Sequence, residues 1–246
     1  MSGIAFYNAY TAMKAYQSNL DVVSNNLANV NTIGYREDRA SFDDLLYQNM
    51  NVHNNEGKKV GLGVKVGSVT TKMTAGSLDM TGVLFDFAIT TENGFFATQK
   101  SEEHPITYTR SGDFNISVEE DANYLVDSTG AYVLDTNGEK IVLEKDEFGT
   151  IDTGSLSQKI GVFSFANPYE LEKTMGTRFL VTDKSGEAEL IENSSKVIYQ
   201  GALERSPVDI GAGMVEVISN QRAFQLNASL LKTADEIEDV INSLKR

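Results

Sequence analysis

Apolar residues recur in alternating steps of 3 and 4 at both ends of this 246-residue chain, and the interior shows no such rhythm. Near the start the stripe runs Phe6, Ala9, Met13, Tyr16, Leu20, Val23, Leu27 and Val30. Near the end it runs Met214, Val217, Gln221, Phe224, Ala228 and Leu231, slips around Ala234, and resumes as Ile237, Ile241 and Leu244. Such spacing lays a narrow seam along a helix, at coiled-coil period, and that seam needs another helix over it. With a helix of this kind at each end, the chain reads as a subunit of an assembly.

Residues 3–30 are expected to form one helix of about 42 Å. Its second half carries Asn19, Asn25, Asn26 and Asn29, which are mediocre helix formers because their side chains compete for backbone hydrogen bonds. The helix therefore depends on its covered face for stability. Gly34 supplies a left-handed stop, and residues 39–50 are read as a short helical turn carrying Phe42, Leu45 and Leu46. The last helix is expected to open at Ser206-Pro207-Val208-Asp209, with a serine cap and proline at the first helical position. Gly211 and Gly213 weaken its first turn, and Lys245 and Arg246 suit its negative end.

From Val60 the period changes to two, with Val60, Leu62, Val64 and Val66 on one face of a strand. Further strands are expected at 95–99, 106–109, 114–118, 124–127, 132–134, 140–143, 159–165, 179–182 and 197–200. Turns such as Asp127-Ser128-Thr129-Gly130, Asp135-Thr136-Asn137-Gly138 and Lys184-Ser185-Gly186 separate them. The fold class is mixed α+β: N- and C-terminal coiled-coil-type helices flanking a mostly antiparallel β central domain. Sandwich and barrel stay equally open.

Formal net charge is −14, which opposes nucleic-acid binding and docking on an anionic membrane. Residues 1–46 hold 5 acids and 3 bases and residues 201–246 hold 7 and 5, so both ends are near neutral and the interior is acidic. Near-neutral ends suit packing of many copies. There is no cysteine, so no disulfide or thiolate metal site is available. No secretory signal is recognisable, and no segment has the 18 or more apolar residues of a membrane span.

No catalytic, cofactor or metal constellation emerges. His53 and His104 lack a spaced partner and read as loop histidines. The glycines at 61, 63 and 67 mimic a phosphate loop, but strand alternation runs through them, so they are read as allowing close packing or a bend. The 135–139 segment resembles part of a calcium loop whose twelfth position would be Asp146, and a β-turn fits better. The pairs Asp43-Asp44, Glu102-Glu103 and Glu119-Glu120 read as solvated surface.

The segment Leu20-Asp21-Val22-Val23-Ser24-Asn25-Asn26-Leu27-Ala28-Asn29-Val30-Asn31-Thr32-Ile33-Gly34-Tyr35 closely resembles the N-terminal motif of flagellar rod and hook proteins. The run from Arg39 to Gln48 is similar to the distal-rod branch. Tyr108-Thr109-Arg110-Ser111-Gly112-Asp113-Phe114 and Gln200-Gly201-Ala202-Leu203-Glu204-Arg205-Ser206 are similar to interior landmarks. Asn220-Gln221-Arg222-Ala223-Phe224-Gln225-Leu226-Asn227 completes the terminal signature. Departures are Pro207 where the family usually has asparagine, Gly211-Ala212-Gly213 in place of a more acidic helix start, and a short stretch over 49–59.

The resemblance implies a non-enzymatic axial subunit of the bacterial flagellar basal body, transmitting torque toward the hook. It implies export through the flagellar type III apparatus without signal cleavage, and residence outside the cytoplasmic membrane. Expected partners are further copies, other rod and hook subunits and the export machinery, with no nucleic acid and no cofactor. The expected division is an N-terminal axial segment 1–46, an extended linker 47–82, a β domain 83–200 and a C-terminal axial helix 201–246. Candidate assembly residues are Phe6, Met13, Tyr16, Leu20, Val23, Asn25, Asn26, Leu27, Asn29, Val30, Asn31, Gly34 and Tyr35 at one end. At the other they are Met214, Val217, Gln221, Arg222, Phe224, Asn227, Leu231, Ile237, Ile241 and Leu244. Competing readings are a monomer whose helical hairpin packs on its own β domain, a non-polymerising rod–hook junction protein, and a secreted carbohydrate-binding β domain or enzyme.

Overall fold

Helix α1 (Ser2–Ala28) is followed by strands β1 (Asp38–Asp44), β2 (Tyr47–Met50), β3 (Lys58–Gly61) and β4 (Val64–Thr71). A series of short strands and one helical turn, α2 (Leu156–Lys159), leads to helix α3 (Ile210–Leu244). The computed structural model describes residues 2–50, 58–101, 103–119, 122–144, 154–191 and 196–244. The chain forms two units, one of Met1–Ala28, Asp38–Thr71 and Asp209–Arg246, the other of Asn29–Glu37 and Lys72–Val208. The fold is mixed, with a helix at each end and antiparallel sheets between them.

In the first unit, α1 and α3 run antiparallel: Asn19 hydrogen-bonds Glu216 and Asn220, while Leu27 sits against Gly213. Strands β1 and β4 pair antiparallel, as do β2 and β3. Bonds from Leu45 N to Gly63 O (2.8 Å) and from Leu62 N to Leu46 O (3.2 Å) join the two ladders into one ribbon. The helical turn expected over 39–50 is therefore a pair of strands. Two contacts explain the extended backbone: the Asn26 amide grips both backbone groups of Asp38, and the Phe42 ring lies 6.0 Å from Tyr16.

The single strand expected from Val60 to Val66 breaks at Gly63. Its φ is +104°, and a Cβ there would fall 2.1 Å from Thr11 Oγ1 on α1. Only glycine lets the ribbon approach the helix at this point. Helix α1 ends at Ala28, so Val30 lies beyond it. Helix α3 begins later than expected. Asp209 Oδ1 accepts from Gly211 N and Ala212 N, so Asp209 caps the helix, while Ser206 Oγ receives only Val208 N at 3.4 Å.

In the second unit, Phe95–Gln99 is the central strand. Thr107–Thr109 pairs along one edge, and Tyr132–Val133 and Val162–Ser164 along the other, all antiparallel. Consecutive side chains on a strand point to opposite faces, and here both faces are buried. Phe96 joins Phe114, Leu125, Val133, Leu156 and Ile160 on one side. Phe95 joins Tyr108, Phe165, Leu171 and Phe179 on the other. The strand expected from Lys159 narrows to Val162–Ser164, because Lys159 closes α2 and buries Leu156 beside Ile160. Gly130, Gly138 and Gly186 take positive φ at the expected turns.

Candidate assembly interface

Helix α1 buries only two members of its apolar stripe fully, Ala9 and Val23, and beside them one alanine and two asparagines. Ala9, Ala15, Asn19, Val23 and Asn26 are its buried side chains, whereas Met13, Tyr16, Leu20 and Leu27 are half-buried and Phe6 is exposed. Asn8, Asn19 and Asn26, spaced by 11 and 7, fall on one helical face. Each uses its amide on a tertiary partner: Asn8 on Gly61 O, Asn19 on α3, and Asn26 on Asp38 of β1. Asn25 is exposed. The asparagines thus hold the helix to its neighbours, a role that their spacing signals and their helix propensity hides.

On α3 the face turned toward α1 passes through Gly213, Val217, Asn220, Phe224, Asn227, Leu231 and Ala234. This lies one residue from the expected stripe at three points, Gly213, Asn220 and Asn227, leaving Met214 and Gln221 exposed along with Arg222. The displacement follows from contacts that hydrophobicity does not register: Gly213 admits Leu27, and Asn220 receives Asn19. Asn227 turns its amide back to Ala223 O. Residues 235–244 are exposed throughout, including Ile237, Val240, Ile241 and Leu244. Val215, Ile218, Leu226 and Leu230 are also exposed on α3, as are Phe6, Tyr7 and Tyr10 on α1. Together these side chains leave an extended apolar face uncovered on the paired helices.

The remaining N-terminal candidates belong to the second unit. Asn29 accepts from Thr32 Oγ1, Val30 is half-buried and Asn31 is exposed. Gly34 (φ +66°) and Tyr35 are buried, and Lys173 Nζ lies 4.2 Å from the centre of the Tyr35 ring. A Cβ on Gly34 would meet Ser111 N at 2.4 Å.

Beside them lies a cluster that the sequence reading did not single out. Arg36 and Arg110, both fully buried, share Glu204: Arg36 Nη1 donates to Oε1 at 2.8 Å, and Arg110 Nε to Oε2 at 2.8 Å. Glu204 Oε1 also accepts Gly76 N, and its backbone oxygen accepts Gly34 N. Arg110 Nη1 donates to Thr91 O and Gly94 O, both at 2.6 Å. Burial lowers the Arg110 guanidinium to about 10, against the pull of Glu204, and the nearby Arg36 charge adds to the lowering. Three segments distant in sequence therefore converge on one buried ion cluster.

Among the described residues no group of three or more His, Asp or Glu is placed to hold a metal. Asp135 Oδ1 accepts from Asn137 N and Glu139 N, as a tight turn requires. His104 Nδ1 and Ser101 Oγ lie 2.7 Å apart on the surface. His53, Asp146, Lys245 and Arg246 lie outside the described residues.

The family model described as flagella basal body rod protein matches residues 6–36, and the model described as flagellar basal body rod FlgEFG protein C-terminal matches residues 199–244. The chain is 29% identical to the flagellar basal-body rod protein FlgG of Bacillus subtilis (strain 168), with 98% of this chain and 99% of that protein aligned. It is 32% identical to FlgG of Agrobacterium fabrum, over 95% of this chain and 96% of that protein. It is also 32% identical to FlgG of Borreliella burgdorferi, over 98% of each chain.

Proposed function

Because the chain belongs to the flagellar basal-body rod protein family, and is thus a structural subunit of the rod and not an enzyme, we propose that it polymerises through its two terminal helices as an axial subunit of the distal-rod branch. The supporting observation is the apolar face left open on helices already paired with each other: Ile218, Leu226, Leu230, Ile237 and Ile241 are all about half exposed or more. Full burial of such a side chain contributes about 1.5–3 kcal/mol. Neighbouring copies cover this face, and the helices then form coiled-coil contacts between subunits as well as within them. Heterologous contacts that do not close on themselves generate a filament.

In this reading the chain leaves the cell unfolded through the flagellar type III apparatus, with no signal cleaved, and folds at the growing rod. The rod lies outside the cytoplasmic membrane and carries torque toward the hook. No helix among the described residues is long and apolar enough to cross a membrane. Both Asn25 and Arg222, exposed and part of the signature segments, serve contacts between subunits.

The test uses Leu226→Asp, at a position 67% exposed in the subunit. The variant should keep its circular dichroism spectrum and thermal transition, yet be absent from isolated basal bodies and leave cells non-motile. Normal basal bodies containing it would refute polymerisation through this face. Leu231→Asp, on the face turned toward α1, should instead also disturb the helix pair of the subunit.

A further inference from the structure

A groove of about 400 Å³ runs along the first half of α1 within the helical unit. Tyr7, Tyr10, Thr11 and Lys14 form one wall, and Leu45 with Val64–Val66 of the ribbon forms the other. Its tyrosine, leucine and valine side chains are interleaved with Thr11, Ser18 and two exposed lysines, Lys14 on the helix and Lys65 on β4, and neither lysine carries an ion pair among the described residues. The groove follows α1 from Tyr7 to Ser18, about 16 Å at helical rise.

One segment of the same chain has the complementary properties. Extrapolating the antiparallel register from Asn19–Asn220 and Leu27–Gly213 places the start of α1, at Ser2, opposite about residue 237. Residues 235–244 therefore lie at and beyond the end of the helix pair, and every one of them is exposed. They span about 15 Å. Ile237, Ile241 and Leu244 make one apolar stripe, and Glu236 and Glu238 stand about 100° to either side of Ile237. The ten residues carry four acids and no base. Length, apolar stripe and flanking charge all match the groove.

The geometry points to the α3 tail of a second copy as the occupant of this groove, a proposal that rests on the polymerisation reading above and specifies its contact. Ile237, Ile241 and Leu244 lie on Tyr10, Leu45 and Val64, with the glutamates against Lys14 and Lys65. Tail and groove belong to different surfaces of the subunit, so each copy offers one of each and the contact propagates head to tail. A ten-residue tail buries far less than a stable solution dimer needs. The contact therefore forms in the rod, where other contacts already hold the copies together.

Because the chain has no cysteine, full-length Tyr10→Cys/Ile241→Cys introduces one candidate disulfide pair. Basal bodies isolated from cells carrying it, after mild oxidation, should give a ladder of disulfide-linked copies. Tyr10→Cys/Asp239→Cys, with the second cysteine on the far side of the tail, should give none. Basal bodies that contain the variant but yield no ladder, or an equal ladder from the control pair, overturn the proposal and leave polymerisation standing. A single adduct of another mass also overturns it. Basal bodies that lack even the unmodified chain remove the polymerisation reading itself.

Should the cysteine pairs fail to incorporate, charge exchange decides the matter. Lys14→Glu and Glu236→Lys should each lower incorporation about five- to tenfold, and the double exchange should restore it to within about twofold. Absence of restoration overturns the groove contact.

Discussion

Glu204 neutralises two guanidinium groups that burial would otherwise drive toward solvent. With both arginines fully buried, removing its charge leaves them facing each other without compensation. Glu204→Gln keeps the side-chain shape and should lower the unfolding free energy of the second unit by about 3–5 kcal/mol in urea titrations. The exposed pair Lys72–Glu37, at 3.7 Å, supplies the contrast, and Lys72→Ala should change stability by less than about 1 kcal/mol. A loss equal to that of the exposed pair would mean that the cluster is not holding its segments. The pH dependence follows from the lowered Arg110 value. The unfolded state binds the proton more tightly only between about 10 and the ordinary arginine value, so stability rises with pH in that window. Near neutrality Arg110 is charged in both states and contributes no slope.

At the scale of elements, the pairing of α1 with α3 is specified by polar contacts set among apolar ones. Asn19 donates to Glu216 at 3.1 Å and to Asn220 at 3.2 Å, whereas the buried Nδ2 of Asn220 has no partner. A half-satisfied amide costs stability, and a single polar pair in such a seam is a known means of setting register. Asn220→Leu should therefore raise the urea midpoint of the helical unit, by about 1 kcal/mol in unfolding free energy. It should at the same time reduce incorporation into basal bodies, because apolar seams slide more easily. A lowered midpoint would show that the amide pair stabilises the helices outright.

At the scale of the whole molecule, the helical unit draws on three stretches of the chain and the β unit chiefly on one. Removing residues 209–246 takes away the partner of α1. Far-ultraviolet circular dichroism should then lose the 27 residues of α1 as well as the 35 of α3. The aromatic signals of Phe95, Phe96 and Phe179, buried in the two cores of the β unit, should persist. A helical loss limited to α3 would show α1 to be stable on the ribbon alone.

The alternation of 3 and 4 determined that both ends are helices, and the glycine turns at 127–130, 135–138 and 184–186 marked strand ends, since period and turn chemistry are local properties. The strand path stayed illegible, because short antiparallel strands pair by burial on both faces and not by order in the chain. Residues 39–50 misled for the same reason: their extended shape comes from Asn26 and from pairing with β4, both remote in sequence. The inward face of α3 was also decided only in three dimensions, where Gly213 and Asn220 displace Met214 and Gln221 by fitting Leu27 and Asn19. Arg36, Arg110 and Glu204 stand 74 and 94 residues apart. Their union rests on desolvated charge, which acquires its strength only once folding has removed the water.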